Sequence, residues 1–223
     1  VEARNQRGRV LFSSNGESTL YFPDVFAAPM QLRHAEGEVE WVYDGPRAMV
    51  SGKRLKVDWD GAQVTGGFGL ITGQERGHFG LDIAFNEVDA VDRPLAQWLP
   101  LGVMEEELTS FLLNGMGGYV SQGSLQLSQP LGNNVTREDF TATLALAITQ
   151  GYLPIAPGWP RLEDVEGRLI WRNKVLEAEI EHAQSQGITA SRGELVMEDD
   201  VLALSGQLHA EGAELMAFLQ AMP

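Results

Sequence analysis

The sequence predicts a mainly β protein, a long curled antiparallel sheet forming a β-groove or taco-like meander, with two or three short helices. Three observations lead there. Apolar and polar residues alternate with period two in run after run, so most strands have one apolar and one polar face. Glycine is abundant, at 25 residues, and falls in turn-forming dipeptides such as Asn15-Gly16 and Asp60-Gly61. A pattern also recurs: Gly37-Glu38-Val39-Glu40-Trp41 is matched by Gly167-Arg168-Leu169-Ile170-Trp171, and each copy leads through further strands to a short apolar helix closed by proline. Successive strands joined by short turns make a meander the simplest topology, with twelve to fourteen strands expected.

Taken in order, Val10–Phe12 and Thr19–Phe22 flank Asn15-Gly16 and read as a hairpin. Pro23 and Pro29 bracket a loop, and Val39, Trp41 and Tyr43 then share a face opposite Glu38 and Glu40. Met49–Ser51 is a short strand, and Leu55, Val57 and Trp59 alternate up to Asp60-Gly61. Val64–Leu70 is broken by glycine and reads as a strand with a bulge or a close backbone approach. Phe79, Leu81, Ile83 and Phe85 give the cleanest alternation. The period then changes. Pro94–Leu99 suits one helical turn, and Met104, Leu108, Phe111 and Leu112 make an amphipathic helix over Gly102–Leu113 that stops at the glycines up to Gly118. Strands return at Tyr119–Val120, Gly123–Ser128 and Phe140–Ile148. The second copy follows, ending in the helix Leu215–Met222 before Pro223. The expected organisation is one continuous structural domain: a first unit over 1–100, the helix and glycine-rich turn over 101–118, and a second unit over 119–223.

Charge and composition exclude several functions. With 31 acidic and 16 basic residues the chain carries −15, which repels phosphate backbones and argues against nucleic acid or anionic membrane surfaces as partners. Cysteine is absent, removing disulfides, thiolate nucleophiles and cysteine metal sites. No apolar run is long enough to span a membrane, and the first residues do not form a signal peptide. The chain opens in mid-pattern without Met, so an internal piece of a longer protein is expected.

Catalytic chemistry finds little support, and neither an enzyme, a cofactor nor a metal is expected. His34, His78, His182 and His209 are widely spaced, and a hydrogen-bonded sheet histidine accounts for His182. Glu105-Glu106-Glu107 reads as a helix N-terminal charge cluster and Asp199-Asp200 as a polar turn. Gly115–Gly118 lacks the Gly-Lys-Ser/Thr ending of a phosphate loop, and the serines have no nucleophile-elbow setting.

The stronger signal is the set of apolar strand faces. The candidate lining comprises Val39, Trp41, Leu55, Val57, Trp59, Phe79, Leu81, Ile83 and Phe85 in the first unit. Leu125, Leu127, Phe140, Leu144, Leu146 and Ile148 follow, then Leu169, Trp171, Leu176, Ile180, Leu202, Leu204 and Leu208. Alternation alone fits an open groove and a closed core equally. The long-period repeat and the tryptophans Trp41, Trp59 and Trp171 favour the groove.

The segments VFAAPMQLRHAEGEVEW, QWLPLGVMEEELTSFLLNGMGGYVSQGSLQLSQPL and YLPIAPGWPRLEDVEGRLIW together resemble the YhdP-type members of the AsmA-like family, relatives of TamB. The shared order is a Leu-Pro-containing helix, a second helix ending in Gly-Gly, a G-x-L-x-L strand pair, and then Pro157–Leu162 with Gly167–Leu169. The resemblance implies a periplasmic bridge of a Gram-negative envelope, anchored in the inner membrane by a helix outside this stretch. It implies an apolar groove that carries phospholipid acyl chains toward the outer membrane, continued at both ends by the rest of the same long chain. It brings no catalytic residues. The alternatives are a β-sheet scaffold for envelope assembly without lipid conduction, and a hydrolytic β protein with two facing carboxylates.

Overall fold

A computed structural model describes residues 6–21, 23, 26–73, 77–91, 97–103, 109–110, 113, 116–133, 135–136, 139–154, 159–198 and 201–221. It contains a single sheet of eleven strands whose spatial order follows the chain order and which is not closed into a barrel. The strands are β1 (Gln6–Leu20), β2 (Met30–Asp44), β3 (Arg47–Trp59), β4 (Ala62–Thr72), β5 (Gly77–Asp89), β6 (Gly117–Leu131), β7 (Thr141–Leu153), β8 (Leu162–Arg172), β9 (Val175–Ser185), β10 (Ile188–Glu198) and β11 (Val201–His209). The α-helix α1 (Gly212–Ala221) closes the second copy, and Leu101–Val103 forms a 3-10 turn. No helix among the described residues is long and apolar enough to cross a membrane.

The meander expectation holds, with fewer and longer strands. The chain bends within a strand where the sequence reading placed a turn. Asn15-Gly16 does not make a hairpin. It lies inside β1, where the pairing with β2 slips between Asn15 and Ser18 and Gly16 takes φ +147°. A positive-φ dipeptide serves a bulge as well as a turn, so the dipeptide alone cannot distinguish them. Met49–Ser51 and Leu55–Trp59 likewise fuse into β3 through Lys53-Arg54. Gly117 and Gly118, read as a helix stop, open β6 instead.

Asp60-Gly61 does form the expected tight turn. Both residues take positive φ, Trp59 pairs with Ala62, and the Gly61 N–H donates to Asp58 Oδ1 at 3.1 Å. Asn173-Lys174 and Gln186-Gly187 turn the second copy in the same way. The expected helix at Pro94–Leu99 lies outside the described residues up to Ala96, and Trp98 and Leu99 are buried. Most of the expected helix Gly102–Leu113 also lies outside them, although Thr109, Ser110 and Leu113 are helical.

Contacts divide the chain into two compact units. The first comprises Val1–Tyr21, Pro29–Asn86 and Ser124–Thr143, and the second Phe22–Ala28, Glu87–Gly123 and Leu144–Pro223. In the second unit the apolar strand faces form a tight core. Leu144, Leu176 and Trp171 are at most 1% exposed, and Phe218 of α1 is also buried. Non-glycine residues with positive φ stand within its strands at Gln150, Asp164 and Arg192, and the pairing slips at Asp164 and Arg192.

In the first unit the polar faces of β1, β2 and β3 carry a ladder of ion pairs. Lys53 Nζ lies 2.6 Å from Glu40, and Lys56 Nζ lies 3.0 Å from Glu36. Between these rungs the buried Glu38 carboxylate is held by Arg9 from β1 and Arg54 from β3. Hydrogen bonding from Arg9 lowers the Glu38 pKa below its ordinary 4.5; burial opposes this and Arg54 reinforces it.

Two outcomes follow. Leu144→Ala, at a fully buried position, should cost about 2–5 kcal/mol in urea unfolding, whereas Leu11→Ala at the exposed edge should stay within about 0.5 kcal/mol; equal losses would show that the sheet has no such core. Because the Glu38 pKa is depressed in the folded state, its stabilisation is present above 4.5 and disappears as pH falls through the lower folded value. The melting temperature of Glu38→Gln should therefore fall less steeply than that of wild type as the pH is lowered below 4.5, and parallel curves would contradict the assignment.

Candidate functional site

The strand registers of the first unit place most of its apolar residues on one side, while Leu11, Val42, Met49 and Ile71 lie exposed on the other. Val10 opposes Val39, Trp41 opposes Val50, Val50 opposes Leu70, and Leu70 opposes Phe79. Nearer the Asp60-Gly61 end, Val57 opposes Val64, which opposes Phe85, while Phe68 opposes Leu81 and Gly66 opposes Ile83. Directly opposed residues in an antiparallel pair project to the same side. The result is a continuous apolar surface across β1 to β5, with Glu36, Glu38, Glu40, Lys53 and Lys56 on the reverse.

This surface is not a sealed core. Val39, Leu55, Val57, Phe79, Leu81 and Ile83 are half-buried, and Trp41 is 39% exposed. Trp59 and Phe85, at the Asp60-Gly61 end, are buried. Accessibility therefore increases along the strands toward the Asp44–Arg47 turn, where Tyr43 is exposed.

Glycines give the surface low relief. The Trp41 ring covers Gly8, the Phe68 ring covers Gly52, and Phe12 and Leu55 lie over Gly37, each occupying the space a Cβ would need. A large side chain can thus recline across the neighbouring strand rather than stand upright. The surface is paved at these three places.

The other expected lining residues are mostly buried. Leu125 and Leu127 of the first unit are buried. So are Leu144, Leu146, Ile148, Leu169, Trp171, Leu176 and Ile180 of the second. A space of about 20 Å³, the room of one water, lies among the second unit's apolar residues beside Ile148, Val165, Leu169 and Ile180. Phe140 is half-buried, Leu204 and Leu208 of the edge strand β11 are exposed, and the Leu202 side chain lies outside the described residues. The sequence reading omitted Val10, Phe12, Val50, Val64, Phe68 and Leu70. Their signal was present, but the slips at Asn15 and Arg54 and the glycines around Phe68 broke the alternation that would have shown it.

Polar chemistry gathers less. On the reverse of the first unit an open trough of about 580 Å³ lies over Gly67, Gly69 and Gly80, edged by Lys53, His78, Asp82 and Ser128. His78 Nε2 is 3.3 Å from Ser128 Oγ, and Lys53 is engaged by Glu40. His182 lies 3.6 Å from Asp164 on the exposed side of β8 and β9. Among the described residues no three His, Asp or Glu side chains come together as a metal site. Glu105–Glu107 and Asp199-Asp200 lie outside the described residues.

No curated protein and no solved structure matches the chain. A protein-family model does, described as YhdP protein, over residues 1–223. That match spans every strand of the one-sided antiparallel sheet, and the chain belongs to the YhdP family.

Proposed function

We propose that this chain is a segment of an envelope lipid-transfer protein, in which the apolar surface of β1 to β5 shields phospholipid acyl chains between the inner and outer membranes. The observation that carries this reading is the half-exposed, glycine-paved wall, apolar along its length and free of converging polar groups. An acyl chain gains roughly 0.8 kcal/mol per CH₂ on leaving water for such a wall. Two chains crossing water unshielded therefore face a barrier on the order of tens of kcal/mol. Covering the tails alone removes most of it, and the head group stays hydrated at the open side. A wall without a specific pocket holds a tail at no single place, so movement along it meets little resistance.

The partner is lipid together with the remainder of a longer chain, the location is the periplasm with an inner-membrane anchor elsewhere in the protein, and the role is conduction without catalysis. A second reading, a scaffold that recruits strands to its edges, has one observation in its favour. Val10, Leu11 and Phe12 of β1 and Val201, Leu204 and Leu208 of β11 are exposed on the two edge strands.

Native mass spectrometry of the purified chain should find co-purified phospholipid. Ile83→Asp places a charge on the accessible wall and should abolish that signal and the uptake of fluorescent phosphatidylcholine from vesicles, while the circular dichroism spectrum stays unchanged. Leu146→Asp would test the fold instead, because Leu146 is 2% exposed. Undiminished uptake by folded Ile83→Asp would defeat the proposal, and lipid-free protein holding a peptide strand would favour the scaffold.

A further inference from the structure

β3 crosses the first unit with a change of phase. Val50 and Gly52 face the apolar side at even positions, and Leu55, Val57 and Trp59 face it at odd ones. The pairing with β4 steps from Gly52 opposite Phe68 to Leu55 opposite Gly66, so β3 carries one extra residue there. Arg54 absorbs it at φ +52°. This left-handed conformation is unfavourable for a residue with a Cβ and needs support from its surroundings.

That support comes from the reverse face. The Arg54 side chain reaches Glu38 on β2, and the Glu38 carboxylate, with 4% of its side chain exposed, is held from the other side by Arg9 on β1. A buried carboxylate deprived of its cation is costly, so Glu38 penalises any arrangement that withdraws Arg54. The Asp60-Gly61 turn independently pins Trp59 opposite Ala62. Without the bulge, the half of β3 beyond it would have to move by one residue, turning Val50 and Gly52 to the polar side.

We infer that Glu38 is a positioning residue of the apolar wall, clamping Arg54 in the left-handed bulge that keeps both halves of β3 on one face. This rests on the lipid-wall reading for its functional meaning, but the register it fixes can be measured without lipid. The chain contains no cysteine, so introduced pairs have a clean background. Val50→Cys with Leu70→Cys reports the native register, Ser51→Cys with Leu70→Cys the slipped one, and Val57→Cys with Val64→Cys serves as an internal control.

Glu38→Gln should lower the ratio of native to slipped oxidative crosslinking on the order of tenfold, the scale set by the cost of a left-handed non-glycine residue, and leave the control pair unchanged. Adding Arg54→Gly should restore the ratio, since glycine takes positive φ without a clamp. Arg54→Val, with Glu38 intact, should reproduce the defect and serves if Glu38→Gln does not fold. An unchanged ratio in Glu38→Gln, or a defect that Arg54→Gly fails to repair, would overturn the inference. Uptake of fluorescent phosphatidylcholine measured on the same proteins separates the two ideas: a wild-type chain that takes up no lipid, yet shifts register as expected, refutes the lipid reading and leaves the role of Glu38 standing.

Discussion

The structure depends on keeping phase. A strand has a period of two, so a one-residue slip sends its whole apolar set to the wrong face. This sheet contains slips in β1, β3, β8 and β10. In β3 and β10 a non-glycine residue at positive φ, Arg54 or Arg192, stands at the slip, and in β1 Gly16 does. The sequence changes phase there as well: Val50 and Gly52 give way to Leu55 and Val57 across Arg54. Backbone irregularity and apolar pattern correct each other, and the apolar side stays continuous. The cost is several unfavourable backbone conformations, which ion pairs on the reverse side offset in the first unit.

How much of this was legible in the sequence is best judged from the repeated pentapeptide. Gly37–Trp41 and Gly167–Trp171 were read as equivalent, and they are equivalent in local structure: each lies in a strand, β2 or β8, that leads through a hairpin into the next. Their tryptophans have opposite environments, with Trp41 39% exposed and Trp171 1% exposed. Periodicity determines which side a residue faces, through pleat geometry that involves only its neighbours. It does not determine whether that side is covered, because covering depends on distant segments. The strand faces, the Asp60-Gly61 turn and the closing helix α1 were therefore readable, while the division of the lining residues into accessible wall and sealed core was not.

Misreadings concentrated where one local signal has two uses. Asn15-Gly16 supplies the positive φ of a hairpin turn, and in β1 that same freedom is used for a bulge. Glycine in Val64–Leu70 signals a bulge or a close backbone approach, and Gly66 does lie against the Asp82 backbone, while Gly52 on the neighbouring strand supplies the place where the Phe68 ring lies. Cross-strand partners settle such cases, and they are not adjacent in sequence.

The paving by glycine bears most directly on how such a wall would act. A pocket holds a ligand by giving it one position better than all others, and the depth of that preference is the barrier to leaving. Side chains that lie flat over Gly8, Gly37 and Gly52 make neighbouring positions nearly alike. The gain from covering each methylene is retained wherever the chain lies, while the difference between positions, which would slow its passage, stays small. High total attraction with low relief suits transfer along a surface better than storage in a site. On the proposed lipid reading, a single well-placed donor would anchor a head group and oppose the movement that a low-relief apolar surface would permit.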